Sequence, residues 1–454
     1  MNLHANIEKA SISELLLIFL SGICFFTIQL LCINYGNLNL IFATLCIFIF
    51  PLPFIYFYFR SISPLSVLIY LIIGSNFFIR FLIPAIPALI FIFTIFIFPI
   101  IFYHQHNSHN NNSLPLRLPF LLLITGFFFS FYSIVIKSDG NDFFNFYYDL
   151  VMLSGLCFFY FIYYFLSNKL INQSILIDIL IISCLAFIGF TLLKYFYTFS
   201  YGSLFKERYG TSIRINPNLI ASFLDLIFPL ALFNLIKSRH SKKKYYYLTA
   251  SLSILTILLL TSSRGSILGL IGLYIFILFR FSHYTKLTIS LLLIPIIILL
   301  MFKNTLFSRI ISPSHYDLLS DMGRLELIKT SFKILKENNY LFGIGLNNFR
   351  IVKFRYGFPL WFDPKMVMSS HNAYLEFWIG WGLAGVAGWS FIFLKCIHSI
   401  IKALRKKKDQ LFGVSFALIS FFIHGFVDSS IADFSIMLIF FTLLALLSYM
   451  LQND

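Results

Sequence analysis

Long apolar runs separated by short polar breaks recur along the whole chain of 454 residues. A helix that crosses a bilayer needs roughly 20 mostly apolar residues. Runs of that kind lie near 12–33, 39–59, 64–82, 84–103, 118–136, 146–166, 174–196, 217–236, 246–262, 265–281, 286–302, 372–396, 411–427 and 432–450. The pattern predicts an all-α integral membrane protein, a polytopic bundle of about 12–14 transmembrane helices. Arg80, Pro84 and Pro87 interrupt the third and fourth runs, so either is tilted or re-entrant. The run 15–33 is long enough to span, and no small-residue cleavage site follows it. It is expected to stay as the first helix.

The polar breaks set the orientation. Lys237, Arg239, Lys242, Lys243 and Lys244 form one basic cluster, and Lys402, Arg405, Lys406, Lys407 and Lys408 form another. Basic loops stay cytoplasmic. Four predicted spans separate the two clusters, so the two assignments agree. Both termini are then expected in the cytoplasm, with the tract His104–Asn112 (HQHNSHNNN), read as a flexible polar loop. The segments 197–216 and 303–371, the turn at Ser263 and Arg264, and the short link with Asp428 and Asp433 emerge on the outer face.

The 303–371 segment is the one long loop, which marks it as the leading functional element. Within it, Leu325, Ile328, Phe332 and Leu335 recur at helical spacing, with Glu326, Lys329, Lys333 and Lys336 on other faces. This predicts an amphipathic helix, capped by Asp321, that lies on the membrane or covers the bundle. A bend follows at Gly343 and Gly345.

Composition agrees. Hydrophobic residues make up 59% and charged residues 11%, where soluble domains carry about a quarter charged residues. The formal net charge of +16 would suggest nucleic acid in a soluble protein. Here the basic residues sit in short loops between apolar runs, so no nucleic-acid partner is expected. Cys24, Cys32, Cys46, Cys157, Cys184 and Cys396 all lie in apolar runs without zinc-like spacing.

Three outward positions carry unusual polarity. KERYGTSIRINPNLIASFL holds Arg208, Arg214, Asn216 and Asn218; TSSRGSILG holds Arg264; SSHNAYLEFWIG holds His371, Asn372 and Glu376. A cation near the apolar zone costs about 2.5–3.5 kcal/mol on insertion scales, so it has a partner or a task. Arg264 either snorkels, pairs with a carboxylate such as Glu376, or binds an anion. An arginine fork matches phosphate oxygens bidentately, and Ser262, Ser263 and a helix start add donors. Arg208 and Arg214 are either an interfacial basic flank or a second cation for a ligand with two phosphates. His371 is either an interfacial polar residue or a general base suited to neutral pH. Asn372 and Glu376, one turn apart, would orient a sugar or the imidazole. The sequence has no D-x-D, P-loop or H-E-x-x-H motif, so no metal ligand or cofactor is expected.

RYGTSIRINPNLIASFL, LLLTSSRGSILGLIGLY, GRLELIKTSFKILKENNYLFGIGLNNF and SSHNAYLEFWIGWGLAGVAGW follow one another in the order and spacing of the O-antigen ligase/polymerase superfamily. From Arg208 to Trp389 the chain resembles these multi-span, GT-C-like glycosyltransferases. The resemblance implies a catalytic region over 197–454, with 303–371 as its large periplasmic loop, after N-terminal transmembrane helices over 1–196. It implies a metal-independent, inverting transfer from undecaprenyl pyrophosphate at the periplasmic face of the bacterial inner membrane. By position, Arg264 matches the serine-arginine-glycine motif and His371 the histidine-asparagine motif. Arg208 and Arg214 both stand for the arginine before the asparagine-proline-asparagine motif, because the stretch between Gly210 and Asn216 is longer than usual. Asn218, Arg324, Asn372 and Glu376 complete the candidate substrate-binding set. The expected partners are the lipid-linked glycan, the bilayer, and lipid A-core or a growing glycan as acceptor. Ligation is the first reading, polymerisation of repeats the second, and a glycolipid transporter the rival from another class. The transporter predicts polar residues at mid-membrane and broken helices in matching halves.

Overall fold

The computed structural model describes residues 116–137, 143–198, 216–238, 241–280, 315–337, 340–346, 348–359, 369–406, 409–431 and 433–453. The four predicted spans before 104, the polar tract after them, the span 286–302, and Arg208 and Arg214 lie outside the described residues. The helices are α1 Arg117–Lys137, α2 Phe143–Ser167, α3 Gln173–Thr198, α4 Pro217–Lys237, α5 Ser241–Leu260 and α6 Arg264–Arg280. They continue with α7 His315–Glu337, the single turn α8 Phe349–Val352, α9 Ala373–Lys406, α10 Asp409–His424 and α11 Phe434–Gln452. Each predicted span within the described residues is a helix, and the chain is a polytopic helical membrane protein. Pro217–Lys237, Ala373–Lys406 and Ser435–Gln452 are long and apolar enough to cross a bilayer on their own evidence.

The sequence explains where these helices start. Asn216 caps α4, its side chain accepting the Asn218 N–H at 2.9 Å. Pro217 then fills the first helical position, where a missing N–H costs nothing. Asp433 caps α11 by accepting the N–H groups of Ser435 and Ile436. Both helices are apolar all round and bury 89% and 83% of their spanning windows, as expected of helices inside a bundle rather than on its surface. α10 packs between α4, α6 and α9, while α9 lies along α1 and α11 along α2. α1–α3 thus share one hydrophobic core with α4–α6 and α9–α11. Trp389 of α9 anchors it, stacked on Phe377 at 4.6 Å and packed on Phe422 and Phe440 at 4.6 and 5.2 Å.

The described members of the basic clusters sit at helix ends. Lys237 closes α4, Lys242–Lys244 open α5, and Lys402, Arg405 and Lys406 close α9.

α9 is broken at Gly382, which has φ 64° and ψ −161°. The bend foreseen at Gly343 and Gly345 fills that break. Ile344 and Gly345 donate N–H to the carbonyls of Ile379 and Gly380 at 2.7 and 2.9 Å, and Leu383 donates to Leu341 at 3.3 Å. A Cβ at Gly382 would collide with the Leu341 carbonyl. The buried Asp149 of α2 holds the junction, accepting from the Trp381 indole and, at 3.4 Å, from the Leu346 N–H.

The helix of the 303–371 segment differs from its expectation at its start. α7 begins at His315, so Asp321 lies inside it and is not its cap. Its buried face is Leu327, Ile334 and Leu335, packed with Phe349, Phe358, Leu375 and Ile379. Met322, Leu325, Ile328 and Phe332 are exposed. Leu335 of the predicted stripe is buried with Leu327 and Ile334, while Leu325, Ile328 and Phe332 leave an exposed apolar face of the kind a membrane-lying helix presents.

Candidate functional site

Three turns meet at one end of the bundle: the start of α4, the Ser262–Arg264 turn before α6, and the Ser369–Asn372 turn before α9. The link from α10 to α11 joins them. Ala373 donates its N–H to the Gly425 carbonyl at 2.7 Å, and the Asn372 amide donates to the Phe426 carbonyl at 3.0 Å. On the other side, Gly265 approaches the same link so closely that a Cβ there would lie 2.6 Å from His424 and 2.7 Å from Val427. The glycine of the SRG stretch is therefore a packing requirement.

His371 sits in this junction with φ 52°. A left-handed conformation is uncommon outside glycine, though histidine tolerates it better than most residues. Ser262, in the turn before Arg264, has φ 53°. Strained backbone of this kind collects at sites whose surroundings over-determine it. The turn before α9 is held by its own polar residues. The Asn372 side chain accepts the Leu375 N–H at 3.0 Å, capping the helix. Glu376 is buried and accepts both the N–H and the hydroxyl of Ser370 at 2.9 Å.

Nδ1 of His371 lies 3.1 Å from Oδ1 of Asp428, in the α10–α11 link. The imidazole is 22% exposed and the carboxylate 6%. Burial pushes the Asp428 carboxyl upward. The His371 hydrogen bond, the charges of His371 and His424, and the Ser429 N–H outweigh burial and hold it well below the usual carboxylate range. A charged Asp428 takes the Nδ1 proton as its hydrogen bond. Nε2 then keeps its lone pair, which is the arrangement a general base needs.

Beneath the Arg264 turn lies a second, fully buried pair. Nδ1 of His424 is 2.7 Å from Oδ2 of Asp225 in α4, and Ser266 of α6 donates to the same oxygen at 2.7 Å. Their side chains are 1% and 2% exposed.

The structure thus brings together the surroundings of Arg264 and His371, and it puts Asn218 in the first turn of α4 near them. Arg264 is the first residue of α6. Arg324 lies on α7, in the outer segment. Asp428, His424, Asp225 and Ser266 were not among the sequence candidates. Two signals pointed to them. Asp225 is an ionisable residue inside an apolar run, which is a functional flag in itself. HGFVD places His424 and Asp428 one turn apart at the mouth of a span. The rival transporter reading is served in part: Asp149, Asp178 and Asp225 are buried in spans, and α9 is broken. That break, however, is filled by the chain's own 341–346 segment, where transporters use theirs to line a substrate cavity.

The sequence is similar to known proteins over part of this region. Residues 249–390 match the O-antigen ligase family. That stretch contains Arg264, Arg324, His371, Asn372 and Glu376. The chain is also similar to the teichuronic acid biosynthesis protein TuaE of Bacillus subtilis (strain 168), at 25% identity over 250 residues. The similarity covers 51% of this chain and 50% of that protein, so the chain spans about half the length of the curated relative it matches. Residues 249–390 thus carry the match to the O-antigen ligase family, within a polytopic helical membrane protein.

Proposed function

We propose that the protein transfers a glycan from undecaprenyl pyrophosphate to an acceptor hydroxyl at the periplasmic face of the inner membrane. The observation that carries this reading is the His371–Asp428 pair, set on the same link that packs against the Arg264 turn. Nε2 of His371 takes the acceptor proton as the hydroxyl oxygen attacks the anomeric carbon. The glycosidic bond to pyrophosphate breaks, with inversion, and the leaving pyrophosphate carries the charge away. Arg264, with one of Arg208 and Arg214, stabilises that charge as it develops, where fixed cations lower the barrier most. Asn218 and Arg324 contact donor or glycan. Asn372 and Glu376 act at one remove by holding the turn that presents His371. The 303–371 segment, whose residues 341–346 fill the α9 break, holds the acceptor.

Ligation to lipid A-core is the first acceptor reading. Polymerisation of repeats is the second, and the similarity to a teichuronic acid biosynthesis protein favours it, since the name of that relative concerns a polysaccharide. A surface-glycan gel of a deletion strain separates them. Full-length chains left unattached support ligation. A core bearing a single repeat supports polymerisation. A wild-type glycan profile contradicts both.

A further inference from the structure

The mechanism above leaves the buried Asp225–His424 pair without a task. A buried carboxylate–imidazole pair among apolar spans is weak evidence of a stabilising role. Desolvation costs several kcal/mol per charge, and apolar replacements of similar volume are often neutral or stabilising. The contacts of the pair go in one direction. His424 lies 3.1 Å from the Ser266 hydroxyl and 3.5 Å from the Ser263 hydroxyl. Gly265, between those two serines, packs on its ring. Ser266 also donates to Asp225. Ser222 reaches His424 at 3.3 Å and the Ser430 hydroxyl of the link. The residues on either side of Arg264 are thus fastened to α4 and to the end of α10, next to a residue, Ser262, in strained conformation. The end of α10 also carries the other half of the site. The Asp428 N–H donates to the His424 carbonyl at 3.1 Å, and Asp428 holds His371.

We infer that Asp225 and His424 are positioning residues: they fix the Arg264 turn so that its guanidinium meets the pyrophosphate at a set distance from His371. The inference rests on the proposed role of Arg264. Neither residue touches substrate. His424 is the shared strut, bonded through its side chain to the phosphate end of the site and through its carbonyl to the base end.

The test is binding of undecaprenyl pyrophosphate, which every donor of this class would share, to the full-length protein in nanodiscs. Arg264→Ala is expected to weaken binding by roughly 30-fold or more, as for loss of a charge-assisted contact. His424→Leu removes the strut and weakens it by about tenfold. His424→Asn keeps a donor where Nδ1 stood and stays within about threefold of wild type. The double variant Arg264→Ala/His424→Leu binds no more weakly than Arg264→Ala, because residues acting as a unit are not additive. A merely structural role would give additive losses and no rescue by asparagine. Wild-type binding by monodisperse His424→Leu, with Arg264→Ala weakened, overturns the inference alone. Wild-type binding by Arg264→Ala overturns the phosphate-site reading beneath it. Should His424→Leu not yield monodisperse protein, Ser266→Ala keeps the pair and removes one tie to the turn. It is expected to bind about threefold more weakly, again without adding to Arg264→Ala. Unchanged binding by Ser266→Ala then overturns the inference.

Discussion

At the residue scale, the account assigns separate work to a base, its orienting carboxylate and a fixed cation. Asp428→Asn keeps the shape of the carboxylate but removes its charge. The amide can present its N–H to Nδ1, which turns the imidazole into the wrong tautomer. Turnover is expected to fall roughly 10²-fold or more, with donor binding unchanged. Steady-state rates and donor binding of the two proteins check both points. Arg264→Lys keeps the charge and loses the planar fork, so transfer should drop about 10²-fold with normal insertion. Arg264 and His371 were legible in the sequence because each is a polar residue at the edge of an apolar run. Asp428 was visible only as an acid in an outer link. Its role depends on a contact spanning 57 positions, and no local pattern encodes that.

At the element scale, the chain announced its helices well and their faces poorly. Apolar runs and caps such as Asn216-Pro217 mark starts and ends locally. The buried face of α7 was read only in part: Leu335 belonged to the predicted stripe, but Leu327 and Ile334 did not, because α7 carries apolar residues on more than one face. Ile334→Ala should cost about 2–4 kcal/mol of local stability. It should speed amide exchange across α7, while Leu325→Ala leaves exchange as in wild type. The clamp between 341–346 and the α9 break was equally hidden, because the glycines announce a bend but not its partner. Gly382→Ala forces a Cβ into a left-handed position against the Leu341 carbonyl and should cost more than ~2 kcal/mol, read as a lower melting temperature in detergent. The outer segment also carries a fully buried lysine, Lys353, 4.9 Å from the Phe354 ring centroid. Burial, then the charge of Arg350, pushes its ammonium down to about 8, with Glu376 opposing. A lowered lysine value means that folding disfavours the charged form. Stability should therefore rise from about pH 8 towards the ordinary lysine range, and Lys353→Met should flatten that rise in thermal melts.

At the scale of the whole molecule, the bundle brings the starts of α4, α6 and α9 to one end, as the alternation of basic clusters and apolar runs required. The positive-inside bias puts that end outside as a prediction. A cysteine at position 340 should be labelled from outside intact cells and one at position 242 protected; the reverse pattern would invert the topology. Fold class was legible because lipid permits few solutions. The acceptor was not, because the motifs concern the donor chemistry that the proposed ligase and polymerase readings share. The most direct measurement of the central claim is turnover by purified His371→Gln with lipid-linked glycan and acceptor, read on a gel beside donor binding. Glutamine keeps the size and a hydrogen bond but cannot take up a proton at neutral pH. The account predicts no transfer with donor binding close to wild type. Near-normal turnover would contradict it and leave His371 a polar residue at the mouth of a span.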